Sequence, residues 1–213
     1  MSQFIGVAAA VVMARPRLEA YLRAPVAPAS AWAEAEWSGV CESWRDGAVR
    51  RRYREELAGA VEACDGWTDG DHAGLLLGLD DEDGSLTIGF DRDSGSLTID
   101  FEARVDFQLP SLIWAFSALR GMAEFMADED TGLVTVTADW DDTPVLMLLG
   151  PNRSSFLDRN RDAAAWGRAR DTEFDVRCAV SEAGTDTDTD TDADADADAD
   201  GSATGIIRRL LGG

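Results

Sequence analysis

The sequence predicts an α+β fold: a mainly antiparallel sheet, with the order βββαββ in its middle and one buried helix. N-terminal helices precede it and a disordered acidic tail follows. Three observations carry this reading. Leu97, Ile99, Phe101, Ala103, Val105 and Phe107 alternate with Thr98, Asp100, Glu102, Arg104, Asp106 and Gln108, the pattern of a strand with one wet face. Gly-Ser-Leu-Thr-Ile-Gly-Phe at 84–90 returns as Gly-Ser-Leu-Thr-Ile-Asp-Phe at 95–101 across an Asp-rich turn, which predicts an antiparallel hairpin. Leu112, Phe116, Leu119, Ala123 and Met126 share a helix face, and Ile113, Trp114, Met122 and Phe125 make the rest apolar. Such a helix has to be covered, and the inner face of the sheet is its natural cover.

Taken in order, the apolar run Phe4–Met13 is about half a membrane span, and no basic residue precedes it, so a buried core element is expected. Residues 1–67 otherwise read as helical: Leu18–Ala24 follows Pro16, a Pro-containing break covers 24–30, and 31–64 is rich in Ala, Glu, Arg and Trp, with an interruption near Gly47. Residues 68–180 form the α+β domain. Its helix opens at Pro110-Ser111, strands follow at 133–140 and 145–149, and a poorly periodic helix (155–169) and a short strand (Phe174, Val176, Cys178, Val180) complete it. From 181 to 204 the chain is dominated by Thr-Asp and then Ala-Asp repeats that cannot pack a core, an extended and self-repelling linker by composition. Residues 205–213 are a short terminal peptide.

The chain has no lysine, 19 arginines and 41 acidic residues, for a net charge of −22. In dilute buffer such a charge pushes a compact state apart. At about 1 M salt the screening length falls to roughly 3 Å and the repulsion fades, leaving carboxylates that hold water and cations at the surface. This bias resembles haloarchaeal cytoplasmic proteins as a class, which implies an environment and no family. The charge is uneven. Residues 1–67 hold 8 Arg against 9 acids, 68–180 hold 9 against 23, and 181–213 hold 2 against 9. Cys41, Cys64 and Cys178 are odd in number and lack metal or redox spacing, so reduced buried thiols are expected.

The terminal peptide is the strongest functional feature. In a helix Ile206 pairs with Leu210 and Ile207 with Leu211, leaving Arg208 and Arg209 opposite, a short docking motif displayed on a soluble tether. These six residues are the expected protein-binding site, and the partner is a protein of unknown identity. The final Gly212-Gly213 resembles the end of ubiquitin-like modifiers, but the long linker before it argues against conjugation.

Other constellations read as structure. Asp91, Asp93, Gly95 and Glu102 fit a calcium-loop frame at positions 1, 3, 5 and 12, yet Ser96 stands where glycine is required, so a hairpin turn is expected and no metal site. Arg45, Arg50, Arg51, Arg52 and Arg54 form the one basic cluster. Neighbouring Glu55 and Glu56, the overall charge and molar salt argue against nucleic acid and for a salt-bridged helix face. His72, the sole histidine, lies in a turn-like stretch away from any nucleophile motif and reads as a surface residue. With no phosphate loop, dinucleotide fingerprint or nucleophile elbow, the reading leans away from an enzyme and no cofactor is expected. Trp32, Trp37 and Trp44 read as a small core, with a pocket between this helical part and the sheet as the alternative, which would make the chain an unrecognised enzyme or a small-ligand binder. Finally, the run from the long strand through the buried helix to VTVTADWDDTPVLMLLG resembles a half-subunit of a DNA sliding or checkpoint clamp over about 50 residues. That implies a clamp-like genome-maintenance role, which needs a basic inner wall where this region is acidic.

Overall fold

The computed structural model describes residues 3–67, 70–79, 84–106, 108–158, 161–186 and 202–212. Phe107 and most of the Asp-rich linker lie outside them. The fold is α+β, built on one six-stranded antiparallel sheet in the order β2-β3-β1-β4-β5-β6. These strands are β1 (Gln3–Val12), β2 (Gly84–Phe90), β3 (Ser96–Val105), β4 (Thr131–Ala138), β5 (Asp141–Gly150) and β6 (Arg153–Phe156).

Gln3–Val12 supply the buried core element expected of the apolar run at 4–13, and they do so as a strand, which corrects the helical reading for this part of the segment 1–67. β1 lies in the middle of the sheet, pairing with β3 from Gln3↔Val105 to Val12↔Ser96 and with β4 from Ile5↔Ala138 to Val12↔Thr131. Its small residues suit this place. Ile5, Val7, Ala9 and Val11 are buried under the helical layer, while Gly6 and Ala8 let the other face pass close to its neighbours. Residues 1–67 are therefore not packed apart from the sheet: one apolar core runs from Ile5 through Tyr53 and Phe116 to Leu210.

The repeated segments form the β2–β3 hairpin, with Leu86 opposite Phe101 and Ile88 opposite Ile99. Its turn is closed by Asp91, whose carboxylate accepts from the backbone N–H groups of Asp93 and Ser94 (both 3.1 Å), which uses the aspartate as a turn residue. Between 84 and 156 the observed order is ββαβββ in place of βββαββ. The extra strand at the end is β6, and it follows from Pro151-Asn152: proline sets the first turn position, and Asn152 takes a positive φ of 52° at the second. Pro144 lies within β5 rather than ending it, because β6 covers only Met147–Gly150 and, among the described residues, the earlier half of that edge has no strand partner.

The helices are α1 (Arg15–Arg23), α2 (Ser38–Glu42), α3 (Gly47–Asp65), α4 (His72–Leu77), α5 (Gln108–Arg120), α6 (Ala163–Asp186) and α7 (Ala203–Leu211). α5 lies on the sheet face made by β1 and β4 and is covered in turn by α3. All but three of its thirteen residues are buried. α3 is started by Asp46, which accepts from the Ala48 N–H at 2.7 Å. α1 is fastened by Arg17, which donates to both carboxylate oxygens of the buried Asp130 (2.8 and 2.7 Å).

α6 replaces both the helix expected at 155–169 and the strand expected at 174–180. Val176 and Val180 are also four apart, so the alternation is equally a helical stripe, and Phe174 points outward at 68 % exposure. α6 crosses the second face of the sheet. Arg177 grips Asp100 of β3 with two bonds (2.9 and 2.7 Å), and Val180 sits so close over Gly89 that an added Cβ there would lie 2.3 Å from it. The tail boundaries shift accordingly: 181–186 belong to α6, and 203–204 to α7. Among the described residues no helix is long and apolar enough to cross a membrane.

Candidate functional sites: a seated terminal helix and a cleft beside Trp44

The terminal peptide is helical, as its pattern implies. Ser202 caps it, accepting from the Gly205 N–H at 3.1 Å, and Arg208 and Arg209 occupy the last turn, where positive charge suits the helix dipole. The structure does not display it free. α7 packs against α1, α4 and β2, with Ile207 and Leu210 buried in the main core, Ile206 and Leu211 half-buried, and Arg208 and Arg209 exposed. Its carbonyl end is held by two arginines of α1: Arg15 donates to the Arg209 carbonyl (2.9 Å) and Arg23 to the Leu211 carbonyl (2.5 Å). These bonds supply donors to groups that a helix C-terminus leaves unpaired. Nine residues are below the roughly 12–15 at which an isolated helix holds in water. Helix and seat therefore form together.

His72 is not a surface turn residue. It starts α4 and is 2 % exposed, with its ring 4.1 Å from that of Tyr21, whose hydroxyl donates to the Ala118 carbonyl (2.7 Å), a group that also acts on His72. Burial pushes its pKa down from 6.5 to about 4, with the Ala118 bond and Asp71 opposing weakly. Its Nδ1 has no partner among the described residues. The reason is in the chain's path: Pro25 and Asp71 bridge, and the Asp71 carboxylate caps α4 at the Gly74 N–H (2.7 Å), turning His72 inward.

The tryptophans divide. Trp37 is fully buried and donates to the Ala29 carbonyl, and the Arg120 guanidinium lies 4.6 Å over its ring and 4.9 Å over that of half-buried Trp32. Arg120 is 1 % exposed. It donates to Ser154 Oγ (2.6 Å) and Glu36 (3.0 Å), and burial draws its pKa down to about 10, leaving it charged. Trp44, also buried, packs edge-on to Tyr53 and stacks near Trp140.

Beside Trp44 a cleft of about 690 Å³ opens where α2, the start of α3, the uncovered half of β5, β6 and the start of α6 meet. This lies at the β6 end of the sheet, whereas α7 packs at the β2 end. Trp44, Phe156 and Trp166 give it apolar walls. α2 reaches Phe156 only because residue 39 is glycine, since an added Cβ would lie 2.1 Å from the Phe156 Cβ. Arg45, Arg50 and Arg161 face Glu42, Asp158 and Asp162 around the opening. Thr143 also lines it, with a buried hydroxyl that has no partner among the described residues.

Two more members of the basic cluster are engaged in structure, while Arg51 is exposed. Arg52 pairs with Gln108 and lies over Tyr53, and Arg54 holds Glu42, whose carboxyl it keeps below the ordinary range. Cys41 and Cys64 are buried, with pKa values raised to about 11 and 12 by burial, so neither supplies a thiolate near neutrality; Cys178 is half-buried. Among the described residues no group of three or more His, Cys, Asp or Glu is placed to hold a metal. The segment that resembles a clamp half-subunit offers no basic wall either, because α5 is covered by α3 and its one charged residue, Arg120, is boxed in.

Sequence reading missed the two α1 arginines that hold α7 and the far wall of the cleft, Thr143, Phe156 and Trp166. These residues become neighbours only through tertiary contacts. No family model, no curated protein and no solved structure matches this chain.

Proposed function

We propose that the protein is a non-enzymatic cytoplasmic protein of a salt-rich cell that works by protein–protein interaction, with α7 as its docking helix stored on the chain's own surface. The observation that supports this is the form of α7. It is a separately capped, strongly amphipathic helix, attached through an Asp-rich segment and bound by one apolar face and two arginine–carbonyl bonds. That is the helix-in-groove mode of peptide recognition, with the groove and its occupant in one chain. A partner that takes the same Ile207–Leu210 face competes with the seat, and tethering sets the threshold it must beat. The unseated peptide loses its helix, so binding couples folding to docking in either place.

A labelled peptide of residues 202–212 tests the seat as a binding groove. Wild-type chain, with its groove filled, is expected to leave the peptide free. Ile207→Asp, which expels the resident helix by burying a charge, is expected to bind it saturably. Failure of both chains to bind would overturn the proposal. The environmental half rests on composition: urea midpoints are expected to fall on dialysis from molar KCl into dilute buffer, as screening of the −22 charge is lost, and unchanged midpoints would contradict it.

A further inference from the structure

We infer that the cleft beside Trp44 is a small-molecule site for a planar ligand carrying one anionic group. Its volume, about 690 Å³, lies within the range of sites that enclose a small organic molecule, roughly 300–1,000 Å³. Apolar walls with a few converging polar groups are the usual make-up of such sites. The apolar part of its lining is aromatic: half-buried Phe156 and Trp166 stand at the cleft with Trp44, 1 % exposed, behind them, and aromatic side chains suit a ring better than a branched chain.

The charge is decided by which groups at the opening are already satisfied. Arg54 neutralises Glu42, and Arg161 lies 3.5 Å from Asp158. Asp162 accepts the Asp158 N–H. Neither Arg45 nor Arg50 is in salt-bridge contact with a carboxylate among the described residues, although Arg50 stands near enough to Glu42 to help lower its pKa. Arg50 is nevertheless fixed in place, because its Nη1 donates to the Trp44 and Arg45 carbonyls, which leaves its remaining N–H groups pre-oriented. A carboxylate or a phosphate meets this pair equally well. The inference is independent of the α7 reading, since cleft and seat share no element.

Calorimetric titration of the full chain in molar KCl tests it with two sets of probes. Adenosine 5′-monophosphate is compared with adenosine and with inorganic phosphate, and indole-3-acetate with indole and with acetate. At least one planar anion is expected to bind with one-to-one stoichiometry, at least about tenfold tighter than its neutral or non-planar counterpart. The set that responds distinguishes a phosphate from a carboxylate ligand. Arg45→Ala removes an exposed side chain that holds no other group, so the fold persists, and it is expected to weaken that binding about tenfold or more. Arg51→Ala, next to Arg50 on α3 but outside the cleft, is expected to change it by less than about twofold. Absence of saturable binding by both planar anions, or binding that Arg45→Ala leaves unchanged or Arg51→Ala weakens as much, overturns the proposal.

Discussion

Replacing Trp37 by alanine is expected to remove about 4 kcal/mol of stability, near the top of the range for a single buried aromatic. Trp37 has no exposed surface and links three parts of the core: its indole N–H donates to the Ala29 carbonyl at 3.1 Å, its ring meets Trp32 edge-on, and Phe156 of β6 lies against it. Its removal also takes away the ring nearest to the Arg120 charge. The guanidinium would then rest on Trp32, Ser154 and the partly exposed Glu36, in a cavity too apolar to solvate it. Part of the loss therefore belongs to the pair. In a double-mutant cycle with Arg120→Met, a coupling of about 1–2 kcal/mol is expected from urea midpoints measured in molar KCl. A loss below about 1 kcal/mol for Trp37→Ala would show that the aromatic box is not the anchor it is taken to be here.

The second large effect is on pH. His72 is neutral in the folded state, with a pKa near 4, against 6.5 for the ordinary side chain. Above pH 6.5 both folded and unfolded chains carry a neutral ring, and His72 makes stability no function of pH. As pH falls below 6.5 the unfolded chain takes up a proton that the folded one refuses. Stability is lost progressively until about pH 4, where the folded ring protonates too and the loss levels off. The whole window amounts to about 3 kcal/mol. The many carboxylates also titrate at its lower end, so the informative quantity is the difference between wild type and His72→Phe. That difference is expected to shift by about 3 kcal/mol against the wild type between pH 7 and pH 4. A difference that does not move with pH would mean that water reaches the ring.

The elements that were legible from sequence are those defined by local pattern. The duplicated Gly-Ser-Leu-Thr-Ile segments set the β2–β3 register, and the mostly apolar surface from 112 required a covered helix, although α5 stops at Arg120 and Gly121–Phe125 tighten into a 3-10 turn. Less was legible where a local pattern served two periods. Val176 and Val180 alternate and also recur at four residues, and the seat of Val180 over Gly89 and the Arg177 grip on Asp100 fix the segment as a helix on the sheet. The run of three alanines in β1 carries no strand preference of its own; its place between β3 and β4 is decided by chain a hundred residues further on. Likewise the pattern of α7 is written in eight residues, but the arginines that hold it stand 194 and 188 positions upstream. His72 reads as a surface residue from sequence because Asp71-Gly74 looks like a turn, and only the bridge between Asp71 and Pro25 turns it inward.

Storage of α7 on its own seat is read out by tryptic cleavage after Arg208 and Arg209, the two exposed arginines of a helix whose opposite face is buried. A protease needs an extended segment, so a seated helix is cut only in the fraction of time it is released. Followed by mass spectrometry in molar KCl, cleavage at these two bonds is expected to be at least about tenfold slower in the wild type than in Ile207→Asp, while cleavage elsewhere in the chain keeps its rate. Equal rates at Arg208 and Arg209 in the two chains would contradict a seated helix and return the peptide to the free tail that its sequence first implies.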